Sequence, residues 1–425
     1  MRAEQNNILS SIDFTLVFLY LALVVFGWMN IYAASLSDTH NEVLDFSTKY
    51  GKQLIWVGLS FVIISVILLI DTKTYEKFAT IIYGISLLSL ALLFIFGKKI
   101  NGATSWYGFG SFSLQPSEFA KFATVLALSK LLNDRQYDLK KLKNQLKAFF
   151  VIFLPAILIT LQPDPGSALV YIAFFFVLYR EGLPVYYIAI GIGSIVLFIL
   201  TLAFGLQNIL LISYVMMLLF IAYVKWIQKI SLKFQWGKIF GLFVVIGLFI
   251  FSVDYVYNHI FEQRHRDRFN ILLGKNDDTR GVGYNTNQSV LTIKSGGFSG
   301  KGYLEGDRTQ GDFVPEQHTD YIFSTVGEEW GFIGTSVVII VFSLFVLRII
   351  QMAERQKTTF SRVYGYGIAS IFFFHYLINI GMVIGLFPTI GIPLPFFSYG
   401  GSGLWGFTIL LFIFIKLDSN KANEW

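Results

Sequence analysis

The sequence predicts an all-α integral membrane protein with many membrane-spanning helices. Of its 425 residues, 55% are hydrophobic and 17% aromatic, whereas only 14% are charged. In an average soluble domain about a quarter of the residues are charged. A chain this apolar is solvated by lipid, where a helix satisfies its own backbone hydrogen bonds. Because the chain contains no cysteine, disulfides, thiolate zinc sites and iron–sulfur clusters are excluded.

About twelve apolar segments are long enough to cross a bilayer. They lie at about 13–34, 53–70, 77–97, 117–133, 146–162, 166–181, 184–204, 209–226, 237–255, 321–349, 363–387 and 396–416. The first segment is too long for the apolar core of a signal peptide and has Asp13 at its head, so we predict an uncleaved span. We predict a single transmembrane domain over residues 1–425.

The basic residues predict the orientation. If the N-terminus is cytoplasmic, the loops on that side hold most of the lysines and arginines, among them Arg135, Lys140 and Arg355. Cytoplasmic loops of membrane proteins carry this excess. An even number of spans then places both termini in the cytoplasm. The net charge of +6 follows from this topology and does not indicate nucleic-acid binding.

Two loops on the extracytoplasmic side are rich in polar residues, at 97–117 and at about 256–320. The second is long, contains many glycines and has no long apolar run. Long loops between spans often carry function. We therefore expect the chemistry at the extracytoplasmic face.

The stretch "FVPEQHTDYIF", which begins at Phe313, brings Glu316, His318 and Asp320 to the start of a predicted span. Charged groups near hydrocarbon need a partner or a function. Asp320 could cap the following helix. A carboxylate at a membrane–water boundary can also act as a general base, because desolvation raises its proton affinity. The residues alone leave both interpretations open.

Three further stretches carry candidate polar residues. In "LQPSEFAK", Glu118 and Lys121 share a helix face, either as a structural ion pair or as a charged pair that lines a cavity. In "LQPDPGS", Asp164 is interpreted mainly as a helix cap in a sharp turn. In "KSGGFSGKGYLEG", Lys301 could bind an anionic phosphate, although the spacing fits neither a Walker A loop nor G-x-G-x-x-G.

The stretch "GLFPTIGIPLPFFSYGGSG" is interrupted by prolines and glycines, which predicts a re-entrant segment that lines a wet cavity. Asn379 lies just before this stretch and Ser398 lies within it. The five histidines are scattered and no metal-binding spacing occurs, so no metal site is predicted. Enzyme, transporter and scaffold all remain open from the residues alone.

Together these stretches resemble the shape, elongation, division and sporulation (SEDS) family, and within it the RodA group. The resemblance is carried by "NGATSW", "LQPSEFAK", "LQPDPGSA", "QSVLTIKSGGFSGKGYLEG", "FVPEQHTDYIFSTVGEEWG" and "INIGMVIGLFPTIGIPLPFFSYGGS", which follow the family's order. They cover the chain except its first two predicted spans. The "GKG" turn and Thr309-Gln310 are more similar to RodA than to the division homologue FtsW.

The resemblance implies a peptidoglycan glycosyltransferase for cell elongation and shape. Its substrate would be lipid II, the undecaprenyl-linked disaccharide-pentapeptide, which it would polymerise into glycan strands. Asp320 matches the family's essential carboxylate. An α-linked donor that becomes a β-1,4 bond needs one inverting displacement and one base, and we assign this base to Asp320.

Further site residues are predicted around Asp320. The leaving diphosphate needs positive charge, and Lys121, oriented by Glu118, and Lys301 are the candidates. Glu316 and His318 complete the predicted substrate-binding group. The cavity motifs contribute Asp164, Trp106, Ser398 and Asn379. No cofactor is firmly implied, although a divalent cation such as Mg²⁺ could accompany the diphosphate.

The sequence departs from the family's pattern at two places. Ser105 precedes Trp106 where the family usually has Arg, so any role of that Arg is absent or is taken by Lys98 or Lys99. The family usually has ten spans. The surplus pair is expected at about 209–226 and 237–255, and such an even insertion leaves the large loop on the same side.

The resemblance also implies a location and partners. The protein would lie in the bacterial cytoplasmic (inner) membrane, within an elongation complex. Its partners would be lipid II, membrane lipid and a class B penicillin-binding protein that cross-links the strands. Two other functions remain as alternatives, a lipid II flippase and a non-catalytic scaffold. A flippase needs no base at one face, and a scaffold would tolerate Asp320→Asn.

Overall fold

The computed structural model describes residues 11–36, 45–100, 102–110, 112–226, 236–261, 263–275 and 283–421. Asn101 of the "NGATSW" motif and both chain ends lie outside these residues. The chain forms two compact units, one of Met1–Leu183 with Asn285–Trp425 and one of Pro184–Tyr284. The single domain over residues 1–425 stays a prediction.

Helices make up most of the described chain. Up to residue 183 they are α1 (Phe14–Ala33), α2 (Lys49–Leu69), α3 (Thr72–Phe96), α4 (Pro116–Leu132), α5 (Leu142–Thr160), α6 (Pro165–Leu169) and α7 (Phe174–Arg180). They continue with α8 (Tyr186–Phe204), α9 (Leu206–Trp226), α10 (Trp236–Tyr255) and α11 (Gln263–Leu272). The last six are α12 (Tyr284–Ser295), α13 (Asp307–Gln310), α14 (Ile322–Glu329), α15 (Gly331–Glu354), α16 (Thr359–Val383) and α17 (Gly401–Ser419).

Within the described residues, ten helices are long and apolar enough to cross a membrane. The predicted class, an all-α polytopic membrane protein, is confirmed. Two of the twelve predicted segments form shorter helices. One is α4, which has 17 residues. The other, Pro165–Arg180, is divided into α6, a 3₁₀ turn and α7.

The predicted span at 321–349 is divided into α14 and α15. Gly331 makes the break with a φ of +63°, and a Cβ there would lie 2.2 Å from the backbone nitrogen of Gly300. Only glycine fits such a turn. Glu328 and Glu329 therefore lie in α14, before α15 begins. Burial raises the pKa of Glu329 to about 7.

A small antiparallel sheet, which the sequence does not predict, lies in the polar loop at 97–117. Its strands are β1 (Lys98–Ile100), β2 (Ala103–Phe109) and β3 (Phe112–Leu114), in the order β1-β2-β3. The backbone nitrogen of Thr104 donates to Gln162 O in the turn after α5, at 3.1 Å. This bond fixes the sheet beside the "LQPDPGS" turn.

At the end of the first unit's helices that lies opposite to the sheet, arginines bind carboxylates at the ends of other helices. Arg348 donates to Asp13, which caps α1, at 2.5 Å, and Arg355 donates to Asp418 near the end of α17 at 2.9 Å. Arg355 is one of the basic residues that the sequence places in the cytoplasm. Both arginines gather at the end of the helices opposite to the sheet.

The second unit contains α8 to α11. The two helices of the predicted surplus pair, α9 and α10, pack against each other within it. Many of their large apolar side chains are exposed, as Leu211 and Val245 show at 62% and 63%. Such side chains are suited to contact with lipid.

Candidate functional site

The chain between α16 and α17, which we call the 384–400 segment, organises the candidate site. Pro388, Pro393 and Pro395 have no backbone N–H to donate, so the segment is not helical. Its backbone carbonyls instead accept side-chain hydrogen bonds from α16. Asn379 Nδ2 donates to Ile392 O at 2.7 Å, and His375 Nδ1 donates to Pro393 O at 3.1 Å.

Asp320 lies against this segment. Asn379, which is fully buried, donates from Nδ2 to the backbone oxygen of Asp320 at 2.8 Å. A Cβ on Gly391 would lie 3.3 Å from Asp320 Oδ2, and Gly391 has a φ of +77°. The N-cap residue of α14 is Tyr321, with no side-chain capping bond. Asp320 is therefore not the N-cap residue of α14.

His318 is joined to the other end of the 384–400 segment. The backbone nitrogen of Tyr399 donates to His318 O at 2.9 Å, and the two rings lie 5.4 Å apart. Lys49 Nζ lies 3.3 Å from His318 Nδ1, and Glu316 Oε2 lies 4.0 Å from His318 Nε2. Burial, with Lys49 nearby, lowers the pKa of His318 to about 4. His318 is therefore neutral at physiological pH and accepts from the lysine.

Glu118 and Lys121 form the predicted pair on α4. Lys121 Nζ lies 2.8 Å from both carboxylate oxygens of Glu118 and 3.0 Å from His375 Nε2. All three side chains are buried, and the ammonium lies 4.7 Å from the centre of the Phe407 ring. Because His375 donates to Pro393 O, its Nε2 is free to accept from Lys121. The trio is thereby attached to the 384–400 segment.

Sequence reasoning missed His375 and Lys49. His375 precedes Asn379 by one helical turn, so the two share a face of α16, and this spacing is a signal that could have identified the histidine. Lys49 offers no such signal, because its contact with His318 joins residues 269 positions apart.

Lys301 lies in a separate polar cluster. Its ammonium is 2.7 Å from Glu328 Oε1 and 3.1 Å from Asp307 Oδ2. Hydrogen bonding to Glu328 raises the pKa of Lys301. Glu328 also accepts from Ser295 Oγ and from both the backbone nitrogen and hydroxyl of Thr309. Burial alone would raise the pKa of Glu328, but hydrogen bonds from Lys301, from Thr309 and from the backbone nitrogen of Arg308 lower it overall.

Asp164 caps α6, as its sequence context predicts. Its carboxylate accepts from the backbone nitrogen of Ser167 at 3.1 Å, from Ser167 Oγ at 2.9 Å and from Gln115 Nε2 at 3.1 Å. A Cβ on Gly166 would lie 2.6 Å from Ile390 O. The turn that Asp164 stabilises therefore packs directly against the 384–400 segment.

Two of the predicted cavity residues, Ser398 and Trp106, lie in a turn and in the small sheet. Ser398 Oγ accepts from the backbone nitrogen of Leu394 at 2.8 Å and closes a turn of the 384–400 segment. Trp106 lies in β2 opposite Lys98, and Ser105 beside it is buried. Among the described residues, no three His, Asp or Glu side chains gather as a metal-binding group.

Comparison with known proteins identifies the family. The profile of the FtsW/RodA/SpoVE family, described as cell cycle protein, matches residues 14–208 and 192–423. The chain belongs to this family. It is 32% identical to the peptidoglycan glycosyltransferase MrdB of Escherichia coli strain K12, over 92% of this chain and 90% of that protein. It is 29% identical to the peptidoglycan glycosyltransferase RodA of Treponema pallidum strain Nichols, over 97% and 98%.

Solved structures share the fold. A chain of a complex described as "Structural coordination of polymerization and crosslinking by a peptidoglycan synthase complex" superposes with a TM-score of 0.71 at 25% identity, over 97% of this chain and 99% of that chain. RodA of Thermus thermophilus gives a TM-score of 0.62 at 23% identity, over 97% and 98%, and shows the fold alone. The predicted SEDS family, the resemblance to RodA and the peptidoglycan glycosyltransferase activity are confirmed. Neither the flippase nor the scaffold is favoured.

Proposed function

We propose that this family member polymerises lipid II with Asp320 as its general base. The observation that carries the assignment is the placement of Asp320 Oδ2 against Gly391, with the backbone of Asp320 fixed by Asn379. Because Gly391 has no Cβ, the 384–400 segment leaves space beside the Asp320 carboxylate at that point. A base needs this fixed orientation within reach of the hydroxyl that it deprotonates.

The reaction is a single displacement. The 4-hydroxyl of the acceptor's N-acetylglucosamine attacks the anomeric carbon of the donor's N-acetylmuramic acid, and its proton moves to Asp320. The bond from that carbon to the diphosphate breaks, and undecaprenyl diphosphate leaves with the electron pair. The α-linked donor becomes a β-1,4-linked product, so one inverting step with one base is sufficient.

Positive charge near the site would stabilise the leaving diphosphate. We retain Lys121, oriented by Glu118, and Lys301 as proposed contributors, with Glu316 and His318 beside the substrate. Lys121 is buried and paired with Glu118, and Lys301 is paired with Glu328 and Asp307. The positive charge that each lysine offers to the diphosphate would therefore be partly compensated by its carboxylate partners.

The proposed location places the site at the extracytoplasmic face of the bacterial cytoplasmic membrane, with both chain termini in the cytoplasm. Arg348 and Arg355 at the opposite end of the helices support this orientation. The proposed partner is a class B penicillin-binding protein of an elongation complex. The similar chain from a peptidoglycan synthase complex, which coordinates polymerization and crosslinking, supports such a partner.

The test is a gel assay of glycan chains made from purified lipid II, with the class B partner present and cross-linking inhibited. We expect ladders from wild type and none from Asp320→Asn. Asp312→Asn is the matched control, because Asp312 is an exposed acid of the same loop and its φ of +51° suits asparagine. All three proteins are first compared for thermal stability in detergent.

Each other outcome has a definite meaning. Equal ladders from wild type and Asp320→Asn would remove Asp320 from the chemistry. A wild type that makes no ladder but moves lipid II between the leaflets of proteoliposomes would replace the polymerase with the flippase. Full activity in alanine variants of Glu118, Lys121 and Lys301 would end the diphosphate roles proposed for them.

A further inference from the structure

We propose that Lys49, at the start of α2, binds an anionic group of the lipid-linked substrate. This inference rests on the proposed function and adds a residue that the sequence motifs do not contain. The shared chemistry is that of anionic oxygens, which lipid II carries both in its diphosphate and in its peptide carboxylates. Lys49 would hold such a group beside Asp320.

The start of α2 places Lys49 firmly. Thr48 caps the helix by accepting from the backbone nitrogen of Gly51 at 3.2 Å. A Cβ on Gly51 would lie 2.0 Å from Asp45 O, so the preceding turn packs tightly against the first helical turn. From this position the ammonium of Lys49 reaches His318 Nδ1 at 3.3 Å. His318 precedes Asp320 by only two residues.

The charge of Lys49 differs from that of the two lysines predicted for the diphosphate. Lys121 and Lys301 each lie within 3.1 Å of a carboxylate. Among the ion pairs of the described residues none involves Lys49, and its contact is with the ring of His318. A neutral imidazole leaves the lysine's charge uncompensated. That contact uses one of three N–H donors, so two remain for a ligand.

The neighbourhood of Lys49 suits a sugar phosphate. The Tyr399 ring lies 5.4 Å from His318 and 5.0 Å from the Trp56 ring, and both aromatic side chains are partly exposed. Gln53, one turn after Lys49 on α2, accepts from the backbone nitrogen of Gly400 at 3.2 Å. Sites for polar ligands combine apolar and aromatic walls with a few fixed polar groups. Lys49 adds a positive charge to this aromatic and polar surface.

The test separates binding from turnover. For Lys49→Met we expect the KM for lipid II to rise about tenfold or more while kcat changes less than about threefold, because one charged hydrogen bond is lost. Lys49→Arg should restore KM to within about threefold, since it keeps the charge. Lys52→Met is the matched control, as it removes a lysine from the same turn of α2, and its KM should stay within about twofold. Thermal stability in detergent is compared for all variants.

Two further arms identify the group that Lys49 binds. Binding of undecaprenyl diphosphate alone is measured for wild type and Lys49→Met, and a diphosphate contact predicts weaker binding by the variant. Lipid-linked disaccharide without the peptide is then used as substrate. If the KM defect of Lys49→Met persists there, the diphosphate is the ligand, and if the defect disappears, a peptide carboxylate is.

The inference fails if folded Lys49→Met keeps the KM of wild type and binds undecaprenyl diphosphate equally well. It also fails if Lys49→Arg, folded, is as defective as Lys49→Met. An inactive wild type would instead contradict the proposed function, and the binding arm would still report on Lys49. The two failures are therefore distinguishable.

Discussion

Two lysine–histidine contacts are attached to different residues of the 384–400 segment, and they differ in their charge balance. Lys121 Nζ is 3.0 Å from His375 Nε2, and Lys49 Nζ is 3.3 Å from His318 Nδ1. Each histidine is also bonded to the segment, His375 through Pro393 O and His318 through the backbone nitrogen of Tyr399. The first contact is buried and includes Glu118, whereas Lys49 is exposed.

The difference teaches how one local arrangement can serve two purposes. A buried ammonium is tolerated only when a carboxylate compensates it, so Lys121 and Glu118 are bound first to each other. An exposed ammonium needs no such partner, because water or a ligand can solvate it. We interpret the Lys121 contact as the anchor of the 384–400 segment and the Lys49 contact as its ligand-facing counterpart.

The largest expected effect comes from breaking the buried pair. Glu118→Leu leaves the ammonium of Lys121 buried without a counter-charge, which should cost about 3–5 kcal/mol of stability. The double variant Glu118→Leu with Lys121→Met removes both charges, and it should recover most of that loss. Thermal unfolding in detergent measures both.

Activity of the double variant then sharpens the comparison. If it is folded and polymerises lipid II, the pair serves mainly to anchor the segment. If it is folded and inactive, Lys121 acts on the reaction as well. A single variant as stable as wild type would contradict the electrostatic account of the trio.

Local patterns in the sequence were sufficient for part of this site. The pairing of Glu118 with Lys121 follows from their spacing on α4, and the cap at Asp164 follows from the "DPGS" turn. Both are contacts between residues three positions apart. The apolar segments likewise revealed the helices, because length and hydropathy decide membrane insertion.

Long-range contacts and backbone breaks were not predictable in this way. His375 meets Lys121 across 254 positions and Lys49 meets His318 across 269, and no local pattern encodes such distances. The break at Gly331 lies within the single segment that hydropathy predicts at 321–349, so hydropathy alone did not separate α14 from α15. The sheet at 98–114 has strands of three and seven residues, too short to give a clear alternation.

His318 provides an intermediate effect that depends on pH. Its pKa falls from 6.5 to about 4 on folding, because of burial and Lys49, while Glu316 and Tyr399 also face the ring. Below pH 6.5 the unfolded chain binds a proton that the folded chain does not bind until about pH 4. As the pH falls from 6.5 to about 4, the free energy of unfolding should therefore decrease by on the order of 3 kcal/mol. Above pH 6.5 His318 should not affect it.

The measurement compares wild type with His318→Gln, by thermal unfolding in detergent between pH 7 and pH 4.5. We expect the variant to lose the part of the pH dependence that His318 contributes. His259→Gln, which changes an exposed histidine, should keep the dependence of wild type. Equal pH dependence of stability in all three proteins would show that folding does not hold His318 neutral. Lys49 would then not face an uncharged ring, and its contrast with the carboxylate-paired Lys121 would be weaker.

Lys301 gives the smallest expected effect and tests whether compensation decides a lysine's role. Its ammonium is paired with Glu328 and Asp307, and Glu328 keeps its bonds from Ser295 and Thr309 when the lysine is removed. Lys301→Met should therefore cost only about 1–2 kcal/mol of stability. Its KM for lipid II should change less than about twofold, since the charge is already partly compensated, and its proposed role on the leaving diphosphate should appear as a lower kcat. A rise in KM as large as that of Lys49→Met would show that an ion-paired lysine also binds the substrate before the reaction, and ion pairing would then not distinguish Lys301 from Lys49.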